Sequence, residues 1–194
     1  MRKKSVVGRR VTCSQSRFAS ATPRTKSPRA ETIAVLVNST SPATQTIEAE
    51  ACSAAQTLGL RLDVLAASTE SEIDAAFAAA AQRGAGALLI AGDAYFNSRR
   101  AQLIALAARY KIPANYDRKE TAVDGGLMSY GMNNVDFYRQ AGIYTGQILN
   151  GAKPPDFPVQ QPTKVELLVN LKTARSLGLE LPTSVLLSAD EVIE

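Results

Sequence analysis

Thr32-Ile33-Ala34-Val35-Leu36-Val37-Asn38, a short apolar run that stops on Asn38-Ser39-Thr40-Ser41, decides the fold. A continuous apolar run of this length between polar stops suits a strand buried on both faces, as in a parallel sheet. A helical period follows from about Pro42, where Ile47, Ala51, Ala54, Ala55 and Leu58 recur on one face and Gly59 is placed to end the helix. Residues 62–66 read as a second strand. Thr69-Glu70-Ser71-Glu72 then has capping-box spacing, and Ile73, Ala76, Phe77 and Ala80 carry a helix to about Gly84. Residues 87–91, the turn at Gly92-Asp93 and a helix from about Asn97 bearing Leu103, Ile104 and Ala107 repeat the unit. Three successive strand–helix units predict an α/β fold, a parallel doubly wound sheet with flanking helices.

Downstream the texture loosens. Ile112-Pro113-Ala114-Asn115-Tyr116 reads as a fourth strand, with its proline tolerable at the start. A mixed polar stretch, 117–124, leads through Gly125-Gly126 to a fifth strand, Leu127-Met128-Ser129-Tyr130. Asn134 is the expected cap of a long helix with Phe137, Ala141, Tyr144 and Ile148 on one face, ending at Asn150-Gly151. Four prolines, Pro154, Pro155, Pro158 and Pro162, mark 153–162 as an extended connector; 165–169 is the last strand expected, with a short helix at 172–177. The expected organisation is a disordered basic arm (1–30), an α/β ligand-binding lobe (31–131), a returning helix and connector (132–162), and a strand with short helices completing the lobe (163–194).

Composition removes several functions. The 194 residues carry a net charge of +4, yet nine of the 22 Lys/Arg fall in residues 1–30, which hold no Asp or Glu; the remainder carries 13 basic against 18 acidic side chains, a net of −5. The basic character belongs to the arm, so a nucleic-acid partner is not expected. With no His, every Ser/His/Asp triad, Cys/His pair and His-ligated zinc is excluded. Two cysteines cannot build a disulfide framework; Cys52, beside Ala51, reads as a small buried hydrophobe, and Cys13 has no partner motif. The arm lacks the apolar stretch of a secretory signal, because Val6-Val7 runs into Gly8-Arg9-Arg10; a solvated tail or a mis-assigned start fits better than a transit peptide or twin-Arg signal. Glycine-rich nucleotide motifs are absent, no carboxylate pair suits acid/base work, and neither cofactor nor metal is expected.

Ligands in open α/β sheets bind at the carboxyl ends of strands. Those ends offer Asn38, Ser39 and Thr40; Ser68 and Thr69; Asp93, Tyr95 and Phe96; Asn115 and Tyr116; Ser129 and Tyr130. Hydroxyls, amides, aromatics and one carboxylate suit holding a small polar molecule rather than transforming it. Asp93 would be the counter-ion for a ligand amine, and Tyr95 and Phe96 would stack on its side chain. The competing reading is structural: Ser39, Thr40, Ser68, Thr69 and Asp93 are equally helix-capping residues. Two rival classes remain, a hydrolase- or transferase-like enzyme using Ser or Asp at a strand end, and an interaction protein self-associating through apolar helix faces.

Five ordered stretches, Ala67-Ser68-Thr69-Glu70-Ser71-Glu72-Ile73-Asp74-Ala75-Ala76-Phe77, Phe96-Asn97-Ser98-Arg99-Arg100, Gly126-Leu127-Met128-Ser129-Tyr130-Gly131, Tyr138-Arg139-Gln140-Ala141-Gly142, and Pro162-Thr163-Lys164-Val165-Glu166-Leu167 with Asn170-Leu171-Lys172-Thr173-Ala174, together resemble the ABC-transporter substrate-binding proteins related to tryptophan/tyrosine uptake receptors. The resemblance implies a type I periplasmic-binding-protein fold, a periplasmic location, and a clamp of two α/β lobes that hands a small solute, often an amino acid, to a membrane permease without chemistry of its own. It places Asn38, Ser39, Thr40, Ser68, Asp93 and Tyr116 where such receptors present second-lobe contacts, with an acid at a position like Asp93 taking the ligand amine. It also implies a first lobe ahead of Thr32. The arm stands in that place, so a truncated or mis-started chain is expected, with Phe137, Ala141, Tyr144 and Ile148 lacking their usual sheet and available for self-association.

Overall fold

The computed structural model describes residues 32–158 and 165–194; the expected basic arm and the end of the proline-rich connector, Pro162 included, lie outside the described residues. In chain order the elements are β1 (Thr32–Val37), α1 (Thr44–Leu58), β2 (Arg61–Ala66), α2 (Glu70–Gln82), β3 (Ala87–Ile90), α3 (Ala94–Ser98), α4 (Arg100–Tyr110), β4 (Ala114–Tyr116), α5 (Lys119–Val123), β5 (Met128–Met132), α6 (Asn134–Leu149), a 3-10 turn at Pro154–Asp156, β6 (Val165–Asn170), α7 (Leu171–Ser176), α8 (Thr183–Ser188) and β7 (Glu191–Ile193). The strands form one sheet in the order β2-β1-β3-β4-β5-β6-β7. It is mostly parallel; β6 runs antiparallel to β5, and β7 is parallel to β6.

The apolar run that opens the domain is buried on both sides. Ala34 and Leu36 join Leu65, Leu88, Ile90, Ala114 and Tyr116 against Ile73, Ala76, Phe77 and Ala80 of α2 and Leu103, Leu106 and Ala107 of α4. Val35 and Val37 face the other way, with Val64 and Ala91, toward Ile47 and Ala51 of α1. The parallel register Val35↔Val64 and Val35↔Leu89 keeps these two sets apart, because a one-residue slip would exchange them.

Caps account for the element starts. Thr69 accepts the Glu72 N–H and opens α2, while Glu72 Oε2 reaches back to the Ser68 N–H at 2.7 Å, one residue ahead of the expected capping-box partner. α1 ends as expected, with Gly59 in the left-handed region at φ 67°. α6 is capped by Asn133 rather than Asn134.

Several expectations are corrected. The expected α1 face holds only one buried residue, Ala55; Ala54 is exposed and Leu58 is 69 % exposed. Cys52 is half-buried and disulfide-bonded, not a buried free hydrophobe. The third helix is two helices: Asp93 caps α3 and the chain breaks at Arg99 before α4. The polar stretch before β5 contains α5, and a seventh strand closes the sheet. On α6 no residue is buried, and Phe137 is 49 % exposed, but Tyr144 is half-covered: its ring stacks on Phe157 at 4.8 Å and its hydroxyl donates to the Pro158 carbonyl at 3.1 Å.

Candidate functional site

Strands β1 to β5 are parallel and end on one edge of the sheet, so the residues that follow them meet there. Asn38, just past β1, donates from Nδ2 to Asp93 Oδ1, just past β3, at 2.9 Å. Asn38 Oδ1 accepts the Thr40 N–H at 3.0 Å and the Thr40 hydroxyl at 2.8 Å, which fixes the amide so that its Nδ2 faces Asp93. Asp93 Oδ1 also accepts the Tyr95 N–H at 2.9 Å, capping α3. The structural and functional readings of Asp93 therefore coexist. One carboxylate oxygen builds the turn, and Oδ2 has no hydrogen-bond or ion-pair partner among the described residues.

The other candidates separate. Ser39 and Thr40 are exposed on the same turn. The Ser68 N–H and hydroxyl both donate to Glu72 Oε2, at 2.7 and 2.9 Å, and these hydrogen bonds hold the Glu72 carboxyl below its usual range. Ser68 is thereby a helix-start residue. Tyr95 packs partly on the core, with Phe96 at 6.0 Å between ring centroids and the Arg99 guanidinium 5.7 Å from its own centroid. Tyr116 does not join the edge cluster. Its ring faces α4 in the core, it is 2 % exposed, and its hydroxyl has no partner among the described residues. Burial alone pushes that phenol well above its ordinary value. Tyr116→Phe is therefore expected to leave stability unchanged or raise it by about 1 kcal/mol, read from urea midpoints, because it removes an unsatisfied buried group.

Asp117 is a carboxylate at this edge that sequence reasoning passed over. It follows β4 directly, and its carboxylate lies on the same edge: Asn97 Nδ2 donates to Oδ2 at 3.5 Å, and the Arg118 Nε is 3.8 Å away. A Cβ at Gly92 would fall 2.9 Å from that Oδ2, so glycine is what lets the carboxylate lie against the end of β3. Burial raises the Asp117 pKa, opposed by Asn97 and Arg118. A native pKa above the unfolded one means that the native state holds the proton more tightly. The group's contribution to stability is full below the ordinary carboxylate range and is lost as pH rises through the raised native value. Asp117→Asn should accordingly melt higher than the parent at pH 7, with the two converging below about pH 4; melting curves across pH test it.

On the far side of the edge, Asn133 Nδ2 donates to Glu166 Oε1 while its Oδ1 caps α6 through the Asp136 N–H at 3.1 Å. Two further depressions lie away from the Asn38–Asp93 contact. One of about 520 Å³ runs between Met128, Tyr130, Leu167 and Val185, and one of about 600 Å³ lies beside Tyr144 and Phe157. Both are open and lined without a charged side chain; the first also includes Asn115, Ser184 and Ser188, and so brings the strand-end candidates Asn115 and Tyr130 to one depression apart from the Asn38–Asp93 contact. Among the described residues no group of three or more Cys, Asp or Glu could hold a metal ion, and no helix is long and apolar enough to cross a membrane.

Comparison with known proteins identifies a family and a fold. Residues 23–193 match the family profile described as ABC transporter substrate binding protein. Among solved structures, the ABC domain in complex with L-Trp from Streptococcus pneumonia is 27% identical with a TM-score of 0.75, over 84% of this chain and 56% of that one. A conserved domain protein from Vibrio cholerae O1 biovar El Tor is 23% identical with a TM-score of 0.75, over 85% and 55%. The ligand-free, open structure of a substrate-binding protein with adhesive properties from Clostridium difficile is 22% identical with a TM-score of 0.61, over 86% and 55%. The chain thus spans a little over half the length of the structures it matches. No curated protein matches it.

Proposed function

The chain belongs to the ABC transporter substrate-binding protein family, and we propose that its strand-end edge is one wall of a solute cleft that grips the ammonium group of a small solute such as an amino acid. The observation that carries this is the Asn38–Asp93 pair: Asn38, itself held by Thr40, fixes Asp93 through Oδ1 and leaves Oδ2 to a cation. Asp117, at the end of the next strand, adds negative charge to the same edge, while Ser39, Thr40 and the Tyr95 ring supply neutral contacts. Ser68 stands behind them as the residue that orients the start of α2. Tyr116, placed in the core, acts through packing beneath the edge rather than by touching solute.

Binding and release, with delivery to a membrane permease outside the cytoplasm, is the corresponding role, and it needs no covalent step. The L-Trp held by the pneumococcal relative is consistent with an amino-acid solute. High affinity in such a site requires the solute to be enclosed. The matched structures extend well beyond the region shared with this chain. α6, with no buried residue, is the element we assign to contact with that additional chain or with a second copy. A thermal-shift panel tests the reading: amino acids at millimolar concentration should raise the Tm by a degree or more, and their deaminated analogues should not. Equal shifts from both sets would remove the ammonium assignment.

A further inference from the structure

One face of the sheet is left partly open. Register sets Leu88 beside Ala114 and Tyr116 beside Ser129 on the face toward α4, and each of the four is at most 2 % exposed. The other face is that of Val35, where the successive partners are Leu89, Asn115 and Met128, with Tyr130 beside Leu167 two residues on. α1 covers this face at β1 and β2, and Val185 of α8 borders it at β6. Between them Leu89 is 38 % exposed and Tyr130 59 %, although β3, β4 and β5 are inner strands. Inner strands of a parallel sheet are normally buried on both faces. β3 to β5 span two strand intervals, about 10 Å, which is the width of one helix. The depression of about 520 Å³ lies over this gap, and Asn115, which lines it, keeps a buried Oδ1 with no partner among the described residues. Such an acceptor is what a missing layer leaves behind.

We propose that the layer is α6 of a second copy of this chain, with α6 of the first copy laid reciprocally on the second. α6 has 16 residues, is about 24 Å long, and has no buried residue. Its Tyr144 side is partly taken by Phe157. On the opposite side Val135, Tyr138, Gly142, Gly146 and Leu149 follow one another three or four positions apart. The three large ones are exposed, and a Cβ at either glycine would meet nothing within 4 Å. Glycine is unfavourable inside a helix, but here it leaves a flat strip on which a sheet can come close. Charge agrees. The two charged side chains of α6, Asp136 and Arg139, face each other at 3.8 Å near its start, residues 140–149 carry none, and none lines the depression. A second copy supplies helix and gap together, so one twofold contact covers both open surfaces of each chain. A helix about 24 Å long and 10 Å wide covers about 240 Å² on each surface it joins, and the two reciprocal contacts total about 1,000 Å², where specific interfaces begin. The contact lies apart from the Asn38–Asp93 edge and is independent of the solute reading.

The experiment is sedimentation velocity of the full chain from about 1 to 100 µM, in low salt and in about 0.5 M salt. A dimer that persists in high salt is expected, because the contact is uncharged. Tyr138→Glu and Leu149→Lys, both at exposed positions and each of the sign that suits its end of the helix dipole, should raise the dissociation constant about tenfold or more. Both should melt within about 2 °C of the dilute parent. Benzoylphenylalanine in place of Leu149 should, on irradiation of mixed isotopically light and heavy chains, link to β5, β6 or α8 of the other copy. A monomer at every concentration, a dimer that high salt dissolves, a dimer that neither substitution weakens, or links only between one α6 and another would each overturn the proposal.

Discussion

Asp93→Asn is expected to weaken binding of an amine-bearing solute by about 30-fold or more, equivalent to about 2 kcal/mol, while the Tm stays within about 2 °C of the parent. Asparagine keeps an Oδ1 for the Asn38 Nδ2 and the Tyr95 N–H, so the cap of α3 and the cross-strand contact survive. Only the charge is lost. Asp93→Ala removes both, and should add a stability loss of about 1 kcal/mol from the missing cap. Measuring both variants by calorimetric titration and by thermal melting separates solute contact from scaffolding. Were Asp93→Asn to bind as the parent does, Asp93 would be a capping residue alone.

A larger effect on folding is expected where β4 and β5 converge. A Cβ added at Gly131 would lie 1.8 Å from the Asp117 carbonyl oxygen and 2.8 Å from its carbonyl carbon, both main-chain atoms that no rotamer change can move. Gly131→Ala must therefore push apart β4 and β5 at the site edge. The cost should be about 3 kcal/mol or more, at or above the upper end for overpacking. The urea midpoint should fall sharply or the chain should fail to fold. Gly92→Ala is the control. Its Cβ would meet the Asp117 side-chain Oδ2 at 2.9 Å, so the carboxylate can swing away, and the consequence should fall on solute binding more than on stability.

How much of this could be read in advance follows from where each signal resides. β1 to α2 were legible because their apolar period is continuous and their stops are chemical: Gly59 ends α1 and Thr69 opens α2. α5 was not, since five residues are too few to show a period, and its burial of Thr121 and Ala122 is imposed by its place between neighbouring strands. β7 likewise owes its existence to pairing with β6, a contact that three residues cannot announce. The break between α3 and α4 hid because Asp93 fits equally as a turn residue and as a cap.

At the site, Asn38 and Asp93 were found because each directly follows a strand. Their contact was not, because 55 positions separate them and only the order β1-β3 brings them together. Tyr116 had a usable signal that was overlooked. It shares a face with Ala114, which is paired with Leu88 of the core, so alternation already assigned it inward. Asp117, one step further, is the residue that the same alternation and strand-end rule would have chosen.

Amide NMR of the isotopically labelled full chain, titrated with L-amino acids to millimolar concentration, shows whether the Asn38–Asp93 edge is a solute wall. Saturable shifts confined to Asn38–Thr40, Asp93–Asn97 and Asp117, absent in Asp93→Asn, are expected. Shifts centred instead on the depression between β5 and α8, or no shift at the strand ends at any concentration, would contradict it.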